Sequence, residues 1–336
     1  MTEDEKAKIL GKKPTAELFY RLDDYKYSNT PKSRILSGIR ELDYDIKGFE
    51  MGCITIWTGF TNAGKTTIMT MLAKKTIDQG ERIFFFNGEQ TKEDFKNNLY
   101  IQSSTTRDLE IKQFRSSCVF DTFVREEKAV ELEKKYGDKI YIYNNEVSKD
   151  INTLLFAMEE LRKTQKINVF FLDNFMQIDM KNDNVFQEQT EIMEKLRTFA
   201  VNKKVHIHLV AHPRKIERFQ TRLTLYDIAG SSNIVNKAYN IISILRVDTI
   251  KKEDKEYKKL EEELLKEGYD INNTSTVLEV LKTKGERCGL VALKYDKSLK
   301  TYTETPKITS EEYEKRIHTA KTSEKEEIPW KMNYTN

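Results

Sequence analysis

Gly59-Phe60-Thr61-Asn62-Ala63-Gly64-Lys65-Thr66-Thr67 fits the pattern G-x-x-x-x-G-K-[ST] without deviation. Residues 53–58 ahead of it read as a buried strand. Residues 68–78 behind it read as a helix with Met69, Leu72 and Ala73 on one face. Glycines let the loop turn sharply enough for its N–H groups to surround the β- and γ-phosphates of a nucleotide. The helix start adds the positive end of a dipole. Lys65 supplies a formal charge, and the Thr66 hydroxyl suits Mg²⁺. Gly59, Thr61, Asn62, Ala63, Gly64, Lys65, Thr66 and Thr67 are therefore expected to hold ATP or another nucleoside triphosphate.

Outward from this loop, strands and helices alternate. Strands are expected over 82–87, 139–143, 168–172, 205–210 and 240–247. Helices are expected over 91–103, 124–136, 151–164 and 188–202. Alternation of this kind implies an α/β fold, a mainly parallel sheet with helices on both faces. A Lys- and Glu-dense stretch, about 250–273, interrupts the pattern and reads as a solvated helix or hairpin insertion. Residues 274–283 and 289–295 read as a closing antiparallel pair. The expected domains are a helical segment over 1–35, with Ile9, Leu10, Leu18 and Leu22 as a weak apolar stripe, a core over 36–303, and a polar tail over 304–336.

The chain has 336 residues, enough to bury a large core. Lys+Arg number 57 against Asp+Glu 54, so net charge does not argue for a nucleic-acid partner and local clustering must. The three cysteines, Cys53, Cys118 and Cys288, form no C-x-x-C pair, which suits a reducing cytosol without structural zinc. No apolar run approaches the roughly 18 residues of a membrane helix, and the charged start lacks the core of a secretory signal. A cytoplasmic location is expected.

Three further residues join the phosphate loop. Asp173 ends the apolar strand Val169-Phe170-Phe171-Leu172, where an acid orients a Mg²⁺-bound water. Glu89 follows Phe84-Phe85-Phe86-Asn87, a place from which a carboxylate can polarise an attacking water as general base. His212 follows the strand over 205–210, where its ring can touch the γ-phosphate and report its presence. The four histidines are scattered and no G-x-S-x-G appears, so a protease-like nucleophile has little support.

This ordered set resembles the RecA-like motor domain of the DnaB-type replicative helicases, with the Twinkle and bacteriophage primase-helicase branch as its nearest likeness. Ser37-Gly38-Ile39-Arg40-Glu41-Leu42-Asp43 resembles the family's lead-in, and Leu172-Asp173-Asn174 its second nucleotide motif. Ala211-His212-Pro213-Arg214-Lys215 is similar to its phosphate-sensing segment, and Ile228-Ala229-Gly230-Ser231-Ser232-Asn233-Ile234 to its DNA-binding loop. The resemblance implies a ring, hexameric in the family, with ATP between subunits and basic fingers supplied by the neighbour. Lys282 fits the first finger position. Lys284 stands where the family has arginine, so either Lys284 replaces it or Arg287 swings in. Arg246 and Tyr295 fall where the family sandwiches the adenine ring. Arg214, Lys215, Arg218 and Arg222, with Gly230, Ser231, Ser232 and Asn233, fall where it contacts single-stranded DNA without reading sequence.

The resemblance thus implies an ATP-dependent helicase motor using Mg²⁺. A primase, polymerase or loader is expected as a separate chain, since nothing before residue 36 reads as a primase or zinc module. For a phage or plasmid protein the location is the bacterial host cytoplasm. The alternatives are a RecA- or KaiC-like ATPase that does not unwind, and a nucleotide-binding loader or regulator.

Overall fold

Ile54–Gly59 (β3), Ile83–Asn87 (β4), Val169–Asp173 (β8) and His206–Val210 (β9) are buried along their whole length. Continuous burial is what strands covered on both faces require. In the computed structural model, which describes residues 30–113, 118, 120–180, 184–214, 220–228, 232–309 and 312, they form the middle of a sheet ordered β13-β12-β11-β10-β3-β9-β8-β4-β7. Its other strands are Ile140–Ile142 (β7), Asn240–Arg246 (β10), Thr276–Lys282 (β11), Leu290–Asp296 (β12) and Thr301–Glu304 (β13). From β10 through β3, β9, β8 and β4 to β7 the strands are parallel. β11, β12 and β13 continue the sheet antiparallel. The expected fold class holds, with β13 an addition beyond the expected closing pair.

Successive side chains leave a strand on opposite faces, so each strand feeds two cores. Ile83, Phe85, Val169 and Phe171 pack on one face with helices Arg40–Ile46 (α1), Lys65–Asp78 (α2), Lys92–Gln102 (α3) and Glu126–Tyr136 (α4). Phe84, Phe86, Phe170 and Leu172 pack on the other with Ile151–Gln165 (α5), Val185–Lys203 (α6) and Ser232–Lys237 (α7). Each fully buried aromatic contributes about 1.5–3 kcal/mol by leaving water. Side-chain caps start several helices cleanly. Asp150 accepts from the N–H groups of Asn152 and Thr153 to open α5, and Asn184 accepts from Gln187 to open α6.

The charged insertion departs from the sequence reading. Lys255–Lys266 (α8) is helical, but Tyr257, Leu260 and Leu264 are buried against Leu245, Val277 and Ala292, so one face roofs the antiparallel end of the sheet. Two short additions were not expected. Arg34–Ile35 (β1) pairs with Phe49–Glu50 (β2), and Leu109–Gln113 (β5) with Phe120–Val124 (β6). Arg34 and Ile35, expected at the end of the amino-terminal helical segment, are thus in a strand. Residues 1–29 of that segment, with its apolar stripe, lie outside the described residues, as does the expected tail from 313 on. No helix among the described residues is long and apolar enough to cross a membrane.

Candidate active site

The parallel strands all point their carboxyl ends to one edge of the sheet, where ligands of such folds bind. There β3, β4, β8 and β9 deliver the phosphate loop, Glu89, Asp173 and His212 respectively. Gly64 makes the turn into α2 at φ +93°, and a Cβ on it would lie 2.2 Å from the Tyr302 hydroxyl, so glycine is required twice over. No side chain caps α2 there, which leaves its first backbone N–H groups to an anion.

Lys65 is 6% exposed, and its Nζ donates to the carbonyls of Gly59 and Phe60, both at 2.9 Å. Burial lowers its pKa, and the nearby Glu89 and Asp173 carboxylates oppose that fall. Asp173 is 1% exposed, and neither of its oxygens completes a hydrogen bond. Burial pushes its pKa up to about 6, with the Thr66 hydroxyl beside it pulling the other way, Glu89 adding to the rise, and Lys65 and His212 opposing it. An unpartnered buried carboxylate next to a threonine hydroxyl is a donor set that fits a divalent cation. Among the described residues no group of three or more His, Cys, Asp or Glu is arranged so that it could by itself hold a metal ion. A cation here would therefore take most of its ligands from phosphate and water, as Mg²⁺ does in nucleotide sites.

Glu89, Asn174 and His212 form a second cluster. His212 Nε2 lies 3.0 Å from Glu89 Oε1 and 2.9 Å from Asn174 Nδ2, and Asn174 Nδ2 also donates to Glu89 Oε1. Asn174 is 1% exposed, whereas the Glu89 side chain is 41% exposed and open to water. The buried amide thus orients an accessible carboxylate. Asn174 was legible in sequence as a motif letter but not as the orienting group. The two histidines earlier in β9 are core residues. Trp57 Nε1 donates to His208 Nδ1 at 3.2 Å, and burial lowers His206 to about 4 and His208 well below its usual range.

Arg246 and Tyr295 are brought to the loop from the antiparallel side. Arg246 Nη1 donates to the Asn62 carbonyl at 3.4 Å and its guanidinium pairs with Asp248. Tyr295 packs against Tyr302 with ring centroids 5.0 Å apart. Burial raises the Tyr295 phenol and Arg246 opposes the rise. Tyr302 was missed, because its contact with Gly64 depends on β13 closing the sheet. Gln102 was missed too. Its Nε2 donates to the carbonyls of Thr67 and Lys300, at 3.3 and 2.8 Å, on the wall of a polar cavity of about 220 Å³ beside the first turn of α2.

The finger candidates stand elsewhere. Lys282 pairs with Ile241, which pairs with Ile56, while Gly59 lies beside Ile244. The turn after β11 therefore heads to the opposite edge of the sheet from its own phosphate loop. Lys282 Nζ donates to the carbonyls of Val235 and Asn236, at 2.7 and 3.3 Å, near the end of α7. Lys284 is exposed, its ammonium 5.7 Å from the centroid of the Tyr239 ring. Arg287 bonds Asp45 and Glu267.

Of the expected DNA contacts, Arg214 follows His212 directly. It is exposed, with Nε donating to the Ile228 carbonyl at 3.2 Å, and an isolated bridge ties Pro213 to Ile228. Arg222 is a correction. Its side chain is 14% exposed and bonds Glu263 at 2.8 Å and Glu279 at 2.6 Å, so it ties α8 to β11 and its charge is already spent. That pair lines a larger cavity, about 780 Å³, away from the loop. Lys215, Arg218, Gly230 and Ser231 lie outside the described residues. Ser232 and Asn233 open α7.

The model of the DnaB-like helicase C terminal domain family matches residues 35–304. A probable plasmid replicative DNA helicase of Chlamydia psittaci is 33% identical over 119 residues, 34% of this chain. That match spans only 26% of the plasmid protein. One solved ATPase domain superposes with a TM-score of 0.64 at 16% identity, covering 83% of this chain and 94% of that domain. A DnaB-like replicative helicase, solved in a study of its interactions with primase, gives 0.63 at 17% identity over 83% of this chain and 64% of its own. A KaiC-like protein of Pyrococcus horikoshii gives 0.53 at 16% identity over 82% of this chain and all of its own. At such identities the superpositions establish the fold, and the family model establishes kinship.

Proposed function

The chain belongs to the DnaB-like helicase C-terminal domain family, and from that premise we propose that it is an ATP-driven motor that forms a ring, hexameric as in its family, and moves along single-stranded DNA. The observation that carries this reading is a division of labour within one subunit. Lys65, Thr66, Asp173, Glu89, Asn174 and His212 converge at one edge of the sheet. The cations of the β11–β12 turn stand at the opposite edge. A complete cleft then takes its phosphate loop from one copy and its added cation from the next.

In that cleft the backbone N–H groups at the start of α2 and the Lys65 ammonium bind the β- and γ-phosphates. Thr66 and Asp173 would hold Mg²⁺, which when bound neutralises charge building on the phosphates. Glu89, oriented by Asn174, takes the proton of the attacking water. His212 touches both Glu89 and Asn174, so loss of the γ-phosphate is felt at the strand end that leads through Pro213 to Arg214. Arg246, Tyr295 and Tyr302 frame the base. DNA contact is assigned to Arg214, Lys215, Arg218 and the segment from Gly230 to Asn233, and Arg222, held by Glu263 and Glu279, is left out of it. The amino-terminal segment is assigned the task of docking to an adjacent copy, a primase, polymerase or loader is the expected partner, and the cytoplasm is the working compartment.

The superposition on a KaiC-like protein favours a second reading, an ATPase of the same core that does not unwind. A forked DNA duplex with a labelled strand separates the two. Strand release that requires ATP and a single-stranded tail is expected. ATP turnover with no release over many turnovers would favour the second reading.

A further inference from the structure

The segment between His212 and α7 leaves β9 and closes on itself at a narrow neck. Pro213 bridges to Ile228, the Arg214 N–H donates to the Asp227 carbonyl at 2.6 Å, and Arg214 Nε donates to the Ile228 carbonyl at 3.2 Å. On the returning limb the Asp227 carboxylate gathers three donors, the Thr224 N–H at 2.6 Å, the Thr224 hydroxyl at 2.7 Å and Gln220 Nε2 at 2.6 Å. Gln220 Nε2 also donates to the Arg222 carbonyl at 2.8 Å. A chain of hydrogen bonds thus runs from Arg222 through Gln220 and Asp227 to Arg214.

Arg222 is where this limb meets the rest of the fold. Along β11, Val277 belongs to the core roofed by α8, and Leu281 packs against the core under α5, α6 and α7. Alternate residues of a strand share a face, so Glu279 stands at the seam between the two. A half-buried carboxylate there needs a partner, and Arg222 supplies it at 2.6 Å. The other arm of its guanidinium reaches Glu263 on α8 at 2.8 Å. Residues 220–224, α8 and β11 together line the cavity of about 780 Å³, so these charge-assisted bonds span a gap that packed side chains do not fill. One guanidinium between two carboxylates makes a group of net negative charge, which repels a DNA phosphate.

We propose that the insertion helix α8 serves DNA contact: with β11 it anchors Arg222 through Glu263 and Glu279, and Arg222 is the positioning residue that fixes the segment in which Arg214 meets DNA. The charged insertion thereby has a task in the motor besides roofing the antiparallel end of the sheet. This assignment rests on the reading of Arg214 as a DNA contact, given above.

Glu279→Gln and Glu263→Gln each make the chain more positive by one charge. Were Arg222 a phosphate contact held back by these carboxylates, either change would free it and tighten DNA binding. With Arg222 as an anchor, each should instead weaken binding of a labelled oligothymidylate to the assembled full chain, by about two- to tenfold, while affinity for an ATP analogue stays within about twofold. Arg222→Ala should weaken it by about five- to thirtyfold, and Arg222→Lys by less, since a lysine keeps the charge without the fork that bridges two carboxylates. Adding Glu279→Gln to Arg222→Ala should cost nothing more, because the anchor is already gone. Sedimentation checks assembly of each variant. If Arg222→Ala fails to assemble, Glu263→Gln, whose side chain is 31% exposed, carries the test of sign alone. Unchanged or tighter DNA binding by either glutamine variant, wild-type binding by Arg222→Ala, losses that multiply in the double variant, or equal loss of nucleotide and DNA affinity would each overturn the assignment. A wild-type chain that binds no oligothymidylate, or an Arg214→Ala chain that binds it as wild type does, would instead overturn the DNA contact on which it rests.

Discussion

Glu89→Gln is expected to lower ATP turnover by about 10²- to 10⁴-fold while leaving nucleotide affinity within a few-fold. The substitution keeps shape and the hydrogen bond with Asn174 but removes the site that accepts a proton. Asn174 and His212 both bond Glu89 Oε1, which fixes the carboxylate while its side chain stays 41% exposed to the water it must activate. Because Glu89 raises the pKa of Asp173, its neutralisation also leaves Asp173 more fully ionised, so affinity for Mg²⁺-nucleotide should not fall. Single-turnover hydrolysis beside binding of a fluorescent ATP analogue reads both quantities. Normal hydrolysis would remove Glu89 as the base.

Lys65→Ala should remove turnover by about 10³-fold and weaken nucleotide binding by about tenfold or more, since a donor aimed at developing phosphate charge is lost in both states. Its effect on folding should have the opposite sign or none. Burial lowers the Lys65 pKa, so burying this ammonium works against the fold, although its loss leaves Asp173 and Glu89 without an opposing charge. Turnover, analogue binding and thermal melting measured together distinguish a site defect from an unfolded chain. Unimpaired turnover would mean that the loop holds no phosphate.

What could be read from the sequence follows from how far a signal travels along the chain. Runs such as Val169 to Leu172 and Phe84 to Phe86 are apolar throughout, so doubly covered strands were visible locally. The residues at or just past the ends of such strands, Glu89, Asp173 and His212, could be placed at one edge without knowing strand order. Cation partners were another matter. Arg222 meets Glu263 and Glu279, and Arg287 meets Asp45 and Glu267, across sequence distances that carry no local mark. Spacing alone could not say which basic residues were already paired. Tyr257, Leu260 and Leu264 do have helical spacing, but the density of Lys and Glu around them read as a solvated face. The β5–β6 hairpin escaped because Ile111 and Phe120 are exposed and present no buried alternation.

The most direct test of a cleft completed by two copies is ATP turnover per subunit across a dilution series, with and without single-stranded DNA, read beside sedimentation. The expected result is turnover that rises with assembly and rises again with DNA. Constant turnover per subunit down to monomer, indifferent to DNA, would contradict it.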